Sequence, residues 1–297
     1  MCDMVIAFGT ILKNALRLFL KNDPLKMAGA TAFFTMFALP PILIIIVQVF
    51  SLVMNPQTIR HELFISLANI FGTEAARQIV SIIGAVRKLA YNWVATIAGF
   101  IFLLFVATTV FKIIKSSISQ IWNITLPAGK KVMWSIQSRL QSLMVIFLTG
   151  LLFSVGVFIE TVQVFIGNYF LKLFPSLSAL FNELLAFSIS TLIVAIWFLI
   201  LFRYLTDSRP KWSIAWAGAL FTSFLFSIGK MLLHLLLTYS NINNIYGASA
   251  SVVLLLLFVF YSAMILYYGA AFTKMWAQYK GQNIAENTTQ DEYMQTN

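Results

Sequence analysis

Cysteine, histidine and acid are what this sequence has least of: one cysteine, two histidines and ten acidic residues in a chain of 297. The lone thiol, Cys2, closes no intramolecular disulfide, which excludes a disulfide-stapled scaffold. A hydrolytic metal centre takes three or four converging His, Cys or carboxylate ligands, and His61 and His234 stand far apart among scattered acids. Neither a GxxxxGK[ST] loop nor a GxSxG elbow occurs, so neither a P-loop ATPase nor an α/β-hydrolase is supported. Charge is scarce as well, at 10% of residues against the ~25% of a soluble domain. With 60% hydrophobic residues and a mean hydropathy of +0.87, the chain cannot cover itself with polar groups, and the remaining surface must face lipid.

What is present is long apolar stretches. A helix needs roughly 20 apolar residues to cross a hydrocarbon core about 30 Å thick. Six stretches qualify, over residues 28–53, 91–111, 140–165, 184–202, 214–237 and 248–272. Barrel strands alternate over about ten residues, so continuous apolarity predicts an all-α bundle of six spans. The first stretch is expected to stay in the protein, because its apolar run is about twice that of a signal peptide.

Ahead of it, residues 1–27 form an amphipathic segment. Val5, Phe8, Leu12, Ala15, Leu16 and Phe19 recur at helical spacing, with Lys13, Arg17 and Lys21 on the other side. Such a helix lies in the membrane interface or packs under the bundle, and the pattern fits both. Between the first two spans, Ile59, Leu63, Leu67 and Ile70, then Ala76, Ile79, Ile83, Val86 and Ala90, predict two short amphipathic helices separated by Gly72. A membrane domain over 28–280 is then followed by a polar, aperiodic tail, 281–297, expected to be disordered and cytoplasmic.

Lys and Arg are retained on the cytoplasmic side. Lys13, Arg17, Lys21, Lys26, Lys112, Lys115, Lys130, Lys131, Arg139, Arg203, Arg209, Lys211, Lys274 and Lys280 fall on one side of the six-span arrangement. Only Arg60, Arg77, Arg87, Lys88 and Lys172 fall on the other. Both termini are therefore expected in the cytoplasm. The net charge of +10 is expected to meet anionic headgroups on that face; no basic stripe with interleaved stacking aromatics suggests nucleic acid.

Ionisable groups inside spans are costly and mark candidate sites. Lys230 stands 18 residues beyond Trp212, at a depth of about 27 Å, with His234 one turn on. Glu160, with Gln163 a turn later, reaches a similar level, and Glu183 opens the fourth span from the same side. A Lys230–Glu160 pair across the bundle is expected on this basis. Pro40 and Pro41 fall near the middle of the first span, where missing N–H donors favour a kink and free carbonyls. Broken helices at that depth build substrate sites in transporters. Small residues four apart, Ala28 and Ala32, Gly150 and Ser154, Gly247 and Ser251, argue close helix packing.

Several segments resemble the YihY/BrkB membrane family. The run AGATAFFTMFALPPIL at 28–43 is similar to its opening span. GTEAARQI from Gly72, ATIAGFIFLLFVATTVF ending at Phe111 and ISQIWNI ending at Ile124 are similar to its middle region. WAGALFTSFLFSIGKMLLHLLLTYS ending at Ser240 and IYGASASVVLLLLFVFYSAMILYYGAAFTK ending at Lys274 resemble its last third. The resemblance spans most of residues 10–280. It implies a six-span bacterial inner-membrane protein, with the double proline, Lys230 and the Tyr246–Gly247 pair at positions the family favours. The family has carried the label ribonuclease BN, to which this chain lends no chemical support. Where the family's last motif often reads GAEFTK, the sequence here is Gly269, Ala270, Ala271, Phe272, Thr273, so a carboxylate is missing at Ala271.

These features lead to the expectation of a transport-type membrane protein for a small or amphipathic solute. Its polar site is expected near Pro40, Pro41, Glu160, Gln163, Lys230 and His234, with no catalytic residues, cofactor or metal. A non-transporting envelope protein that organises lipid or assists a lipid-export machine is the competing class, and a homo-oligomer or an envelope protein partner is left open. The topology is checked with single cysteines in a Cys2→Ser background and an impermeant thiol reagent on whole cells. Ile70→Cys is expected to label and Ala285→Cys is not.

Overall fold

The computed structural model describes residues 2–51, 64–65, 77, 93–124, 144–145, 147–149, 151–152, 155–156, 178–206, 208–239 and 250–284; side chains at 2–6, 38–51, 93–100, 103–104, 178–186, 233–239 and 250–251 lie outside the description. Every element among the described residues is helical: α1 (Cys2–Lys21), α2 (Pro24–Ser51), α3 (Trp93–Trp122), α4 (Ser178–Ile200), α5 (Trp212–Tyr239) and α6 (Ala250–Tyr279). A π-helical turn, Leu201–Leu205, prolongs α4. Phe187–Leu205, Trp212–Leu232 and Val252–Tyr279 are long and apolar enough to cross a membrane. Only 33%, 39% and 33% of these stretches is buried within the protein. The rest is half-buried or exposed and mostly apolar. On α5 the outward stripe is Leu220, Phe224, Ile228 and Met231, one residue per turn. The third predicted span and the paired short helices between the first two lie outside the described residues, apart from isolated positions.

Helix ends are set by local chemistry. Asn123, at φ 55°, terminates α3: its N–H donates to Gln120 O (3.1 Å) and that of Ile124 to Ser119 O (2.9 Å). Gly281, at φ +65°, ends α6 the same way, with bonds from Gly281 N to Gln278 O (3.0 Å) and from Gln282 N to Ala277 O (2.8 Å). Both are Schellman closures, in which a left-handed residue lets two orphan carbonyls find donors. The chain remains packed beyond this cap as far as Ile284, which is buried, inside the segment expected to be a disordered tail. Asp23, at φ 51°, turns the chain between α1 and α2, and Pro24 then takes the first helical position, where its missing N–H costs nothing.

The chain divides into two compact units, residues 1–22, 118–227 and 268–297 in one and 23–117 and 228–267 in the other. The centre of the first is a reciprocal contact between α5 and α6. A Cβ on Gly218 would overlap the Thr273 hydroxyl and approach Thr273 Cβ to 3.0 Å; a Cβ on Gly269 would overlap Thr222 in the same manner. Thr222 Oγ1 donates to Gly218 O (2.6 Å) and Thr273 Oγ1 to Gly269 O (2.7 Å). Each threonine thus satisfies its hydroxyl on its own helix and lays its side chain over the opposite glycine. Around this crossing, Trp122, Phe198, Phe202, Leu201 and Ile214 are almost fully buried.

α1 packs on α6 in this unit. Ile11, Ala15 and Phe19 are buried, Phe8 meets Phe272 edge-on at 6.0 Å, Phe19 meets Tyr268 at 5.6 Å, and Tyr268 Oη donates to Leu12 O (3.3 Å). Phe221 of α5 stacks on Phe272 at 3.9 Å from the other side. In the second unit, Gly229 of α5 lies directly under the Tyr261 ring of α6, leaving no room for a Cβ.

Gly218→Ala and Gly269→Ala are expected to cost about 1–3 kcal/mol each, because the threonine opposite is short and already held by its own hydrogen bond. Gly29→Ala, with open space around it, is expected to be neutral or to gain up to about 1 kcal/mol. Thermal unfolding midpoints of the purified protein in detergent check both.

Candidate functional site

The apolar stretch that ends at Phe111 is not where the helix ends. α3 continues through Trp122, because Ile114, Ile118, Ile121 and Trp122 keep a buried face going while Lys112 and Lys115 interrupt the hydropathy. The consequence is a lysine inside the packed protein: Lys115 is 0% exposed. In the same unit, Thr31 of α2 and Tyr267 of α6 share a hydrogen bond, Oγ1 to Oη, of 2.5 Å, and Ser117 of α3 bonds to the same phenol. Thr31 also donates to Met27 O (2.9 Å), and Thr35, one turn on, donates to Thr31 O (2.7 Å). Thr108, two turns before Lys115 on α3, is buried as well. Hydroxyls from α2 and α3 therefore meet the Tyr267 phenol of α6, and each has a partner. Such an arrangement can pass hydrogen bonds from one group to the next.

The first unit holds a second polar group of a different kind. Lys274 of α6, 7% exposed, donates its Nζ to Ile121 O (3.0 Å), and Trp122 Nε1 donates to Ala270 O (2.8 Å). Ile121 is in the last turn of α3, where carbonyls lack intrahelical donors and the helix dipole is negative. The ammonium is thus a cap supplied by a neighbouring helix. Ala271, where the resembling family often carries an acid, is 0% exposed, so its small side chain is part of the packing around α6. Among the described residues no three His, Cys, Asp or Glu side chains come together as metal ligands.

The residues expected from sequence are placed unevenly. Pro40 and Pro41 lie within α2, which is helical without a break from Pro24 to Ser51; the carbonyls of Met36 and Phe37 are the ones left without a backbone donor by the rings. Lys230 is exposed, on an α5 edge that continues the row Ser223, Ser227; Ser227 Oγ lies 3.2 Å from Thr191 Oγ1 of α4. Glu160 and Gln163 fall outside the described residues, as do the side chains of His234 on α5 and Glu183 on α4, so the expected Lys230–Glu160 pair lies outside the description too. Nothing in the sequence singles out Ser117 or Tyr267, and Lys115 and Lys274 read there only as cytoplasmic-side cations, in the loop after the second span and in the tail, whereas both are buried. The available signal was the spacing of apolar residues on both sides of Lys115.

The shared bond between Thr31 and Tyr267 generates a double-mutant expectation. Tyr267→Phe alone, and Thr31→Val alone, are each expected to destabilise by about 1–2 kcal/mol. The double variant is expected to cost less than their sum by about 1 kcal/mol, measured by unfolding in mixed micelles, because the second deletion no longer strands a buried partner.

No curated protein and no solved structure matches this chain. A family model described as virulence factor BrkB matches residues 15–293, nearly the whole length. It takes in α2 to α6, both polar clusters and all the segments whose motifs carry the resemblance noted from sequence. The chain belongs to the virulence factor BrkB family.

Proposed function

We propose that this BrkB-family membrane protein is a transporter of a small or amphipathic solute, built on six spans in the bacterial inner membrane with both termini cytoplasmic, and that it is not an enzyme. The observation that carries the reading is the hydroxyl cluster at Tyr267, with Thr31 and Ser117 from two other helices and the fully buried Lys115 in the same unit. Small residues such as Gly218 and Gly269, and satisfied hydroxyls, hold helices together without a buried charge. An ionisable group enclosed among such helices, as Lys115 is, adds desolvation cost and commonly marks a path for polar cargo. The sequence pattern supports Pro40, Pro41, Glu160, Gln163, Lys230 and His234 as further polar candidates for the same passage. The six-span topology is supported by the three spans recognised in the fold and by the lengths of α2 and α3, 28 and 30 residues. The excess of Lys and Arg in alternate loops supports the orientation. No cofactor, metal or nucleic acid enters the proposal.

The second reading, a non-transporting envelope protein that organises lipid or serves a lipid-export machine, is favoured by one observation: α1 keeps leucines and cations exposed side by side. Stopped-flow swelling of proteoliposomes challenged with small cations, anions, amino acids and polyols separates the two. Transport predicts solute-selective flux that falls at least about tenfold in Lys115→Met while the folded fraction is retained, the size expected when a required charge contact is lost. Vesicles as tight as protein-free controls across the panel would leave the lipid-organising reading in place.

A further inference from the structure

α1 is used on one side only. Its Ile11, Ala15 and Phe19 face is packed against α6, and its opposite side is itself divided. Lys13, Arg17 and Lys21 are exposed in one row, four residues apart. Leu16 and Leu20, 46% and 61% exposed, form a second row roughly a quarter turn around the helix. Residues 4–22 contain no acid, and the one acid of the helix, Asp3, stands about 15 Å before Lys13 along the axis. The ring contacts of Phe8 with Phe272 and of Phe19 with Tyr268, together with the Tyr268–Leu12 bond, fix the rotation of α1, so both rows are held facing outward before any ligand arrives.

The depth of the helix follows from what it docks on. Phe272 stands 20 residues beyond Val252, the start of the apolar stretch of α6, or about 30 Å along the axis, which is the thickness of the hydrocarbon core. Trp276, Tyr279 and Lys280 follow, with the Lys280 ammonium 5.5 Å from the Trp276 ring, a grouping typical of the headgroup layer. At that level exposed leucines reach acyl chains and lysines reach phosphates; neither water nor hydrocarbon alone suits both rows.

We infer that the outer face of α1 is a docking surface for anionic phospholipid, with Lys13, Arg17 and Lys21 contacting headgroup phosphates and Leu16 and Leu20 immersed at the acyl boundary. The inference rests on α6 crossing the membrane and is independent of solute transport. Acidic lipid is the occupant that matches both rows. A second protein would have to bring a strip both acidic and apolar, whereas a leaflet containing phosphatidylglycerol presents that combination everywhere.

The full chain carrying Cys2→Ser and Leu20→Cys, labelled with bimane, is reconstituted with either brominated phosphatidylglycerol or brominated phosphatidylcholine at equal mole fraction. Bromine quenches only on contact, so quenching by each lipid reports its local enrichment beside α1. Phosphatidylglycerol is expected to quench at least about threefold more, with the preference falling towards parity in K13Q/R17Q/K21Q and at high salt, as attraction to an acidic surface requires. The conservative K13R/K21R variant is expected to keep it. Equal quenching by the two lipids with the native charges would overturn the proposal. So would an absence of quenching by either, which would mean that water or a protein covers this face. Lys13, Arg17, Leu20 and Lys21 are all exposed, so thermal unfolding unchanged from the Cys2→Ser parent accompanies each comparison.

Discussion

At the crossing of α5 and α6 each threonine donates its hydroxyl to the carbonyl of a glycine one turn earlier in its own helix, and the same side chain, hydroxyl oxygen nearest, fills the space over the glycine opposite. In a lipid environment there is little hydrophobic force to press helices together, so close fit and satisfied polar groups must serve instead. The crossing meets both demands with four residues. It also fixes α6, and α6 is the helix on which the other features of the first unit depend. Its Ala270 carbonyl receives Trp122, its Lys274 closes the end of α3, and its Tyr268 and Phe272 seat α1.

The same helix contributes Tyr267 to the second unit. Consecutive residues, Tyr267 and Tyr268, point to different partners: Thr31 and Ser117 for one, Leu12 and Phe19 for the other. Successive side chains on a helix diverge by about 100°, which makes adjacent tyrosines suited to serving two separate surfaces. Each phenol finds a partner at its polar tip while the ring contributes apolar area.

Helical class, the amphipathic first segment and the positions of the apolar stretches at 184–202, 214–237 and 248–272 were readable directly from sequence. They depend on the character of many residues at once, and α4, α5 and α6 begin and end within a few residues of those limits, except where α4 starts early and α6 runs on to Tyr279. The burial of Lys115 and Lys274, which read as cations of a loop and of the tail, was not legible for a definite reason. Hydropathy measures the cost of placing a residue in lipid, whereas these lysines are covered by protein, and their helices continue because the backbone ladder is indifferent to charge. The choice between an interfacial α1 and one packed on the bundle was likewise undecidable from periodicity. The docked row of Ile11, Ala15 and Phe19 and the exposed row of Leu16 and Leu20 are both apolar, and only the position of Phe272 and Tyr268 distinguishes them. The Gly218–Thr273 and Gly269–Thr222 pairs, separated by some fifty residues, carry no local signature beyond a small residue followed by a threonine four places on.

The burial of Lys115 and Lys274 has a bearing on how the polypeptide enters its membrane. An insertion apparatus reads charge on helices that have not yet met, when both ammonium groups are solvated and count towards orientation. In the assembled protein neither is displayed: one is wholly enclosed and the other is committed to the carbonyl of Ile121. The charge map that governs biogenesis is therefore different from the one the finished molecule shows its surroundings, and orientation must be settled before α3 and α6 come together.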